Sequence, residues 1–196
     1  MRIGIEINGV LRDTLKKIQQ EYEKWYIDNP FKEEDEFEYE VLSDVTSLDI
    51  VKHLKFKDDN ELYDFLYKEH TMEIFGHAGS VEPSGLLDLN DFYLDMRDNH
   101  DIIVVSDEIG KSKPASLFFI SKFGCLVESV KFYSESTINS LWDSIDILLT
   151  ANPKLLLNHP KNKILIKFNT VYNNEIETEF NISSLKELKT KIQEIA

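Results

Sequence analysis

The chain has 196 residues, of which 42% are hydrophobic and 30% charged, enough for one buried core with at most a small insert. Its formal charge of -14 at pH 7 excludes a nucleic-acid-binding surface, because phosphate contacts need Lys and Arg, and it disfavours an anionic membrane. The same charge suits solubility or a basic partner protein.

A single cysteine, Cys125, excludes an internal disulfide, and a reducing cytoplasm is the expected location. Cys125 lies between Gly124 and Leu126 and reads as a small core residue. The first residues lack the charged-then-apolar pattern of a signal peptide, and no apolar run approaches the roughly 20 residues of a membrane span.

In chain order, short apolar runs alternate with helical patterns, as in a parallel sheet covered by helices. A strand over 3–7 breaks at Asn8-Gly9. Helical spacing follows at Leu11, Leu15, Ile18, Tyr22 and Trp25 and should stop before Pro30. Six carboxylates crowd residues 33–40, interrupted by Phe37 and Tyr39, and predict an exposed segment. Further helices are expected over 48–54 and 60–70, and another from Pro83 through Met96. Residues 101–106 (DIIVVS) carry four consecutive β-branched side chains and predict a strand covered on both faces. A helix over 114–123 should end at Gly124 in a left-handed cap. Strands are expected at 130–133, 145–149 and 163–168. A last helix starts at Ser184, with Glu187 three residues on as a capping box. The predicted fold class is thus α/β, a Rossmann-like parallel sheet with helices on both faces. Residues 1–13 and 83–196 would form its core, and 14–82 a small helical cap inserted after the first strand.

The residues at the strand ends carry a resemblance. Ile3-Gly4-Ile5-Glu6-Ile7-Asn8-Gly9-Val10 resembles the first motif of the haloacid dehalogenase-like superfamily, an apolar strand running into Asp-x-Asp-Gly-Val or Asp-x-Asp-Gly-Thr. Ile102-Ile103-Val104-Val105-Ser106 is similar to the second motif, which ends in Thr or Ser. Asp146-Ile147-Leu148-Leu149-Thr150-Ala151 looks like the fourth, which ends in two acids. The following Asn152-Pro153-Lys154, with the helical insert, resembles the 5'(3')-deoxyribonucleotidase-like branch.

The resemblance implies a phosphatase site, in which an Asp attacks phosphorus and a second Asp moves protons. A hydroxyl and a lysine would hold the phosphoryl oxygens, and carboxylates would hold Mg2+. Here Glu6 stands at the nucleophile and Asn8 at the acid/base, and a carboxamide has no proton to give near neutral pH. Ser106 matches the phosphate-binding hydroxyl, and of Lys111 and Lys113 the latter is preferred for the phosphate-binding lysine. Thr150 and Ala151 replace the metal-binding acids, so Mg2+ is expected only if the site is active. Asp107, directly after Ser106, could in principle supply a substitute carboxylate but is not the expected ligand, whereas Asp146 lies at the far end of its strand.

The histidines show no metal-binding spacing, and there is no glycine-rich phosphate loop. Tyr22, Trp25 and Tyr26 could line a base-stacking pocket or form the insert's own core.

Three functions stay open at this point. The chain could be a pseudo-phosphatase that binds a nucleotide, another phosphate-bearing ligand or a protein. It could be a divergent Mg2+-dependent nucleotidase. It could also be an acidic inhibitor or immunity-type protein directed at a basic partner.

Overall fold

The computed structural model describes residues 1–30 and 37–195. Six strands form one sheet: β1 (Arg2–Glu6), β2 (Asp101–Asp107), β3 (Ser129–Tyr133), β4 (Ile147–Thr150), β5 (Ile164–Phe168) and β6 (Phe180–Ile182). Their order is β3-β2-β1-β4-β5-β6, and every neighbouring pair is parallel. The order reverses between β1 and β4, so a crevice opens beyond the carboxyl ends of those two strands.

Side chains alternate across this sheet and divide the core in two. Ile3, Ile5, Val104, Leu149 and Ile166 face α3 (Gly85–Met96), α4 (Ser112–Lys122) and α7 (Leu188–Ile195). Val105, Tyr133, Leu148 and Leu165 face α5 (Ile138–Ser144) and α6 (Pro153–Leu157) on the other side. Gly4 lets that second layer approach β1: a β-carbon there would lie 3.1 Å from both Ile145 and Leu148 side chains. The α/β fold class with helices on both faces is therefore the observed one.

Between β1 and α3 the chain builds α1 (Thr14–Tyr22), α2 (Asp59–Asp64) and three single π-turns: Glu23–Ile27, Phe65–Glu69 and Met72–Gly76. Ile18, Tyr22, Leu54, Phe65, Ile74 and Phe75 form a third apolar cluster, seated on Ala115 of α4. Tyr22 and Tyr26 belong to this cluster, with ring centres 5.1 Å apart, while Trp25 is exposed and stacks on His70. Cys125 is half-buried against the larger core, and burial raises its thiol pKa. Among the described residues no helix is long and apolar enough to cross a membrane.

The elements depart from the sequence expectations in a few places. The helix expected over 48–54 is only a 3-10 turn, Ile50–Lys52. The chain there folds back on itself: Leu42 donates to the His53 carbonyl, Val41 bridges Leu54, and the His53 ring lies between Ser43 and Ser47 hydroxyls, each at 2.7 Å. At the last helix, the Ser184 hydroxyl accepts from Lys186 N, whereas the Glu187 carboxylate accepts from Ser183 N rather than from Ser184 N. The capping box is thus displaced by one residue at its acidic end. Gly124 adopts φ +67, the left-handed cap expected of it. The short β6, α5 and α6 carry too few residues to show a period. Most of the acidic run 33–40 falls outside the described residues, and of its remainder Glu38 and Glu40 are exposed.

Candidate functional site

The carboxyl end of β1 turns sharply at Asn8-Gly9. Gly9 adopts φ +75, and a β-carbon on it would overlap the Tyr172 hydroxyl and meet the Ala151 side chain at 3.0 Å. Leu11 and Arg12 both donate backbone N–H groups to the Ile7 carbonyl, which turns the Arg12 side chain back over the strand ends. Asp13 then caps α1 by accepting from Lys16 N.

Glu6 points to the α5–α6 side and is buried. Its Oε1 accepts from the Tyr133 hydroxyl at 2.5 Å, and its Oε2 accepts from the Thr150 hydroxyl. The Thr150 oxygen itself accepts from Asn152 N at 2.9 Å. Burial pushes the Glu6 pKa up to about 7; the two hydroxyls oppose that shift, and the nearby Asp107 and Glu108 charges add to it. Burial, with the Glu6 charge beside it, raises the Tyr133 pKa well above that of a free phenol.

Beside Glu6 lies a second, denser cluster. The Arg12 guanidinium and the Glu108 carboxylate form a fully buried ion pair at 2.5 Å. Glu108 Oε1 also accepts from Ser116 at 2.8 Å, from Ser106 at 3.1 Å and from the Asn8 amide at 3.5 Å. Among the described residues Glu108 Oε2 has no hydrogen-bond partner. Asn8 Oδ1 accepts from Arg12 at 2.6 Å and from Thr14 at 2.7 Å. Arg12 Nη1 donates to the Phe75 carbonyl and to the Ser116 hydroxyl, each at 2.6 Å, and Nε donates to the Thr14 hydroxyl at 3.1 Å. Phe75 and Phe119 rings flank the guanidinium at 5.0 and 5.5 Å. One arginine thereby joins β1, β2, α4 and the inserted helices.

Five of the six residues singled out from sequence meet at this end of the sheet: Glu6, Asn8, Ser106, Thr150 and Ala151. Ser106 and Asn8 are occupied internally, since both donate to Glu108. A phosphate at Ser106 would stand within a few ångströms of that carboxylate. The Arg12 guanidinium paired with that carboxylate offsets its charge, so what opposes a phosphate there is the loss of the hydrogen bonds that Ser106 and Asn8 already make. Lys113 is not drawn in: it is exposed, its ammonium lies 6.0 Å from the Phe132 ring centre, and it makes no hydrogen bond to Ser106. Of the two acids after Ser106, Glu108 turns inward while Asp107 is exposed.

The donor set does not fit Mg2+. Each Glu6 oxygen is held by a hydroxyl, Thr150 and Ala151 bring no carboxylate, and the Ala151 carbonyl accepts from Asn173 at 2.9 Å. No group of three or more His, Cys, Asp or Glu side chains among the described residues is placed to hold a metal. Asn152-Pro153-Lys154 begins α6, with the Asn152 side chain accepting from Lys154 N at 2.9 Å and Pro153 in the first turn.

Arg12, Glu108 and Ser116 escaped the sequence reading. The usable trace was in α4, where Ser112 and Ser116 stand four residues apart on an otherwise apolar inner face.

No family model matches the chain, and no curated protein matches it in sequence. Among solved structures it is similar to a candidate haloacid dehalogenase-like hydrolase from Burkholderia xenovorans LB400. The TM-score is 0.59 at 9% identity, over 98% of this chain and 96% of that one. At that identity the likeness shows the fold alone, and the fold is haloacid dehalogenase-like.

Proposed function

We propose that this chain is a haloacid dehalogenase-like pseudo-phosphatase, without hydrolytic activity, that serves as a binding module for another protein. The observation that carries this reading is the buried Arg12–Glu108 pair, which takes up Asn8 and Ser106 from within. Hydrolysis by this fold would need a free carboxylate to attack phosphorus, an acid/base and a bound divalent cation. Glu6 is tied to Tyr133 and Thr150, Asn8 has no titratable proton, and the metal donors are missing. Losses that act on one catalytic unit do not combine additively, so a residual rate does not follow from any single residue. The hydrogen bonds that Ser106 and Asn8 give to Glu108 weigh equally against a nucleotide or free phosphate at Ser106. Descent from the deoxyribonucleotidase-like branch belongs to the same proposal and rests on Asn152-Pro153-Lys154 and the helices inserted after β1.

The test is a panel of phosphomonoesters, nucleoside monophosphates included, incubated with the purified chain and Mg2+. The expected result is no turnover above a Glu6→Ala control, and no change in melting temperature with Mg2+ or inorganic phosphate. Turnover that disappears in Glu6→Ala would overturn the reading in favour of a divergent nucleotidase.

A further inference from the structure

Helix α3 buries Leu86, Leu89, Phe92 and Met96 against the sheet, as an amphipathic helix should. Its outer face is not polar. Leu87 is 65% exposed and Leu94 47%, and at a separation of seven residues they stand on one stripe. Asn90 lies between them and fastens a third apolar residue alongside: its side chain donates to the Gly124 carbonyl at 2.9 Å and accepts from Leu126 N at 2.8 Å. Leu126 is 46% exposed. Leu126, in the loop before β3, is thus tied by its backbone to the same side of α3 as the two leucines.

Acids outnumber bases around them, with Arg97 an exposed exception at the end of the helix. Asp91 lies beside the stripe, Asp98 in the turn after the helix and Glu128 two residues after Leu126, and all three are exposed and outside any ion pair of the described residues. Asp95 on the flank is met by Lys189 at 2.7 Å, and the nearest arginine, Arg97, lies over the Tyr93 ring at 5.8 Å.

We infer that Leu87, Leu94 and Leu126 form a docking surface for a basic amphipathic helix of a partner protein, with leucine-like residues on one face and Lys or Arg on its flanks. This deepens the proposal that the chain binds a protein and rests on it for that much only. Helix recognition places apolar residues at i, i+3, i+4 and i+7 against such a stripe. The unpaired acids select a cationic flank and speed its encounter. A second copy of this chain is disfavoured: a two-fold contact would bring the acids of this face against the same acidic face of another molecule of charge -14.

The probe is a synthetic Leu/Lys helical peptide with leucines at i, i+3, i+4 and i+7, titrated into the full chain and followed by NMR. A scrambled peptide and a Leu/Glu peptide serve as controls. The expected footprint is Leu87, Asn90, Leu94 and Leu126, with affinity falling about tenfold or more in a Leu87→Ser/Leu94→Ser variant. Both positions are exposed, so that variant should keep its fold, checked by its melting temperature. Asp91→Asn/Asp98→Asn should flatten the salt dependence. No binding, a footprint elsewhere, equal binding of either control, or unchanged affinity in the leucine variant would each overturn the inference. Self-association abolished by the leucine variant would do the same, by making a second copy the occupant. A silent peptide with a silent phosphatase assay removes the surface and leaves the pseudo-phosphatase standing; turnover in that assay removes the latter without touching the surface.

Discussion

Two arginine–carboxylate pairs of nearly equal length stand at opposite ends of the sheet. Arg2 and Asp146 meet at 2.6 Å at the amino edge, with side chains 39% and 40% exposed. Arg12 and Glu108 meet at 2.5 Å at the carboxyl edge, with neither exposed at all. The exposed pair is screened by water and replaceable, although Arg2 still holds the Asp146 carboxyl down at about 2. The buried pair has lost its hydration, and Asn8, Ser106, Ser116 and the Phe75 carbonyl offset the loss in part, Glu108 Oε2 keeping no hydrogen-bond partner among the described residues. Contact length therefore does not rank these interactions; their surroundings do. The same surroundings make the carboxyl edge packed interior, with Arg12, Ser106, Glu108 and Ser116 all buried.

The sharpest way to break this comparison is to remove one partner at each end. Arg12→Met strands the Glu108 carboxylate and should cost about 3–5 kcal/mol in urea unfolding, whereas Arg12→Met/Glu108→Leu should recover much of it. Equal losses for the single and double variants would mean that the pair is not what holds this end together.

Next in size is the pH dependence of Glu6. Its pKa is near 7 when folded and about 4.3 when unfolded, so between those values the folded state binds more protons. The stability this group supplies is fully present below its unfolded pKa and is lost as pH rises through 7, by on the order of 3 kcal/mol. Glu6→Gln should flatten that slope, and a slope surviving in the variant would assign it to another group.

Gly9→Ala should cost about 1 kcal/mol or more, since φ +75 and the Tyr172 hydroxyl both oppose a β-carbon. Smallest of all, Arg2→Met should cost about 0.2–1 kcal/mol, an effect that fades in high salt. A loss there as large as at Arg12 would erase the distinction between the two ends.

Periodicity and composition made most of the architecture legible, because they record which face of each element meets the core. The β-branched run in β2, the Asn8-Gly9 break and the Gly124 cap are local necessities, written in neighbouring residues. The short α5, α6 and β6 were not legible, since three to seven residues rarely show a period. Identity at the strand ends also picked out Glu6, Asn8, Thr150 and Ala151, which the fold brings together at one end of the sheet.

What the sequence by itself determined is the α/β fold and the absence of the expected acids from the strand ends, both of which follow from residue type and local order. Only the tertiary structure decided what replaced them. A buried ion pair is invisible in sequence, because Arg12 and Glu108 look like any surface charges until the fold brings residues 96 positions apart to hydrogen-bond distance and excludes water around them. The same holds for the leucines of the outer stripe. Leu87 and Leu89 are the same residue two positions apart, and only the packing of α3 buries one and leaves the other facing solvent.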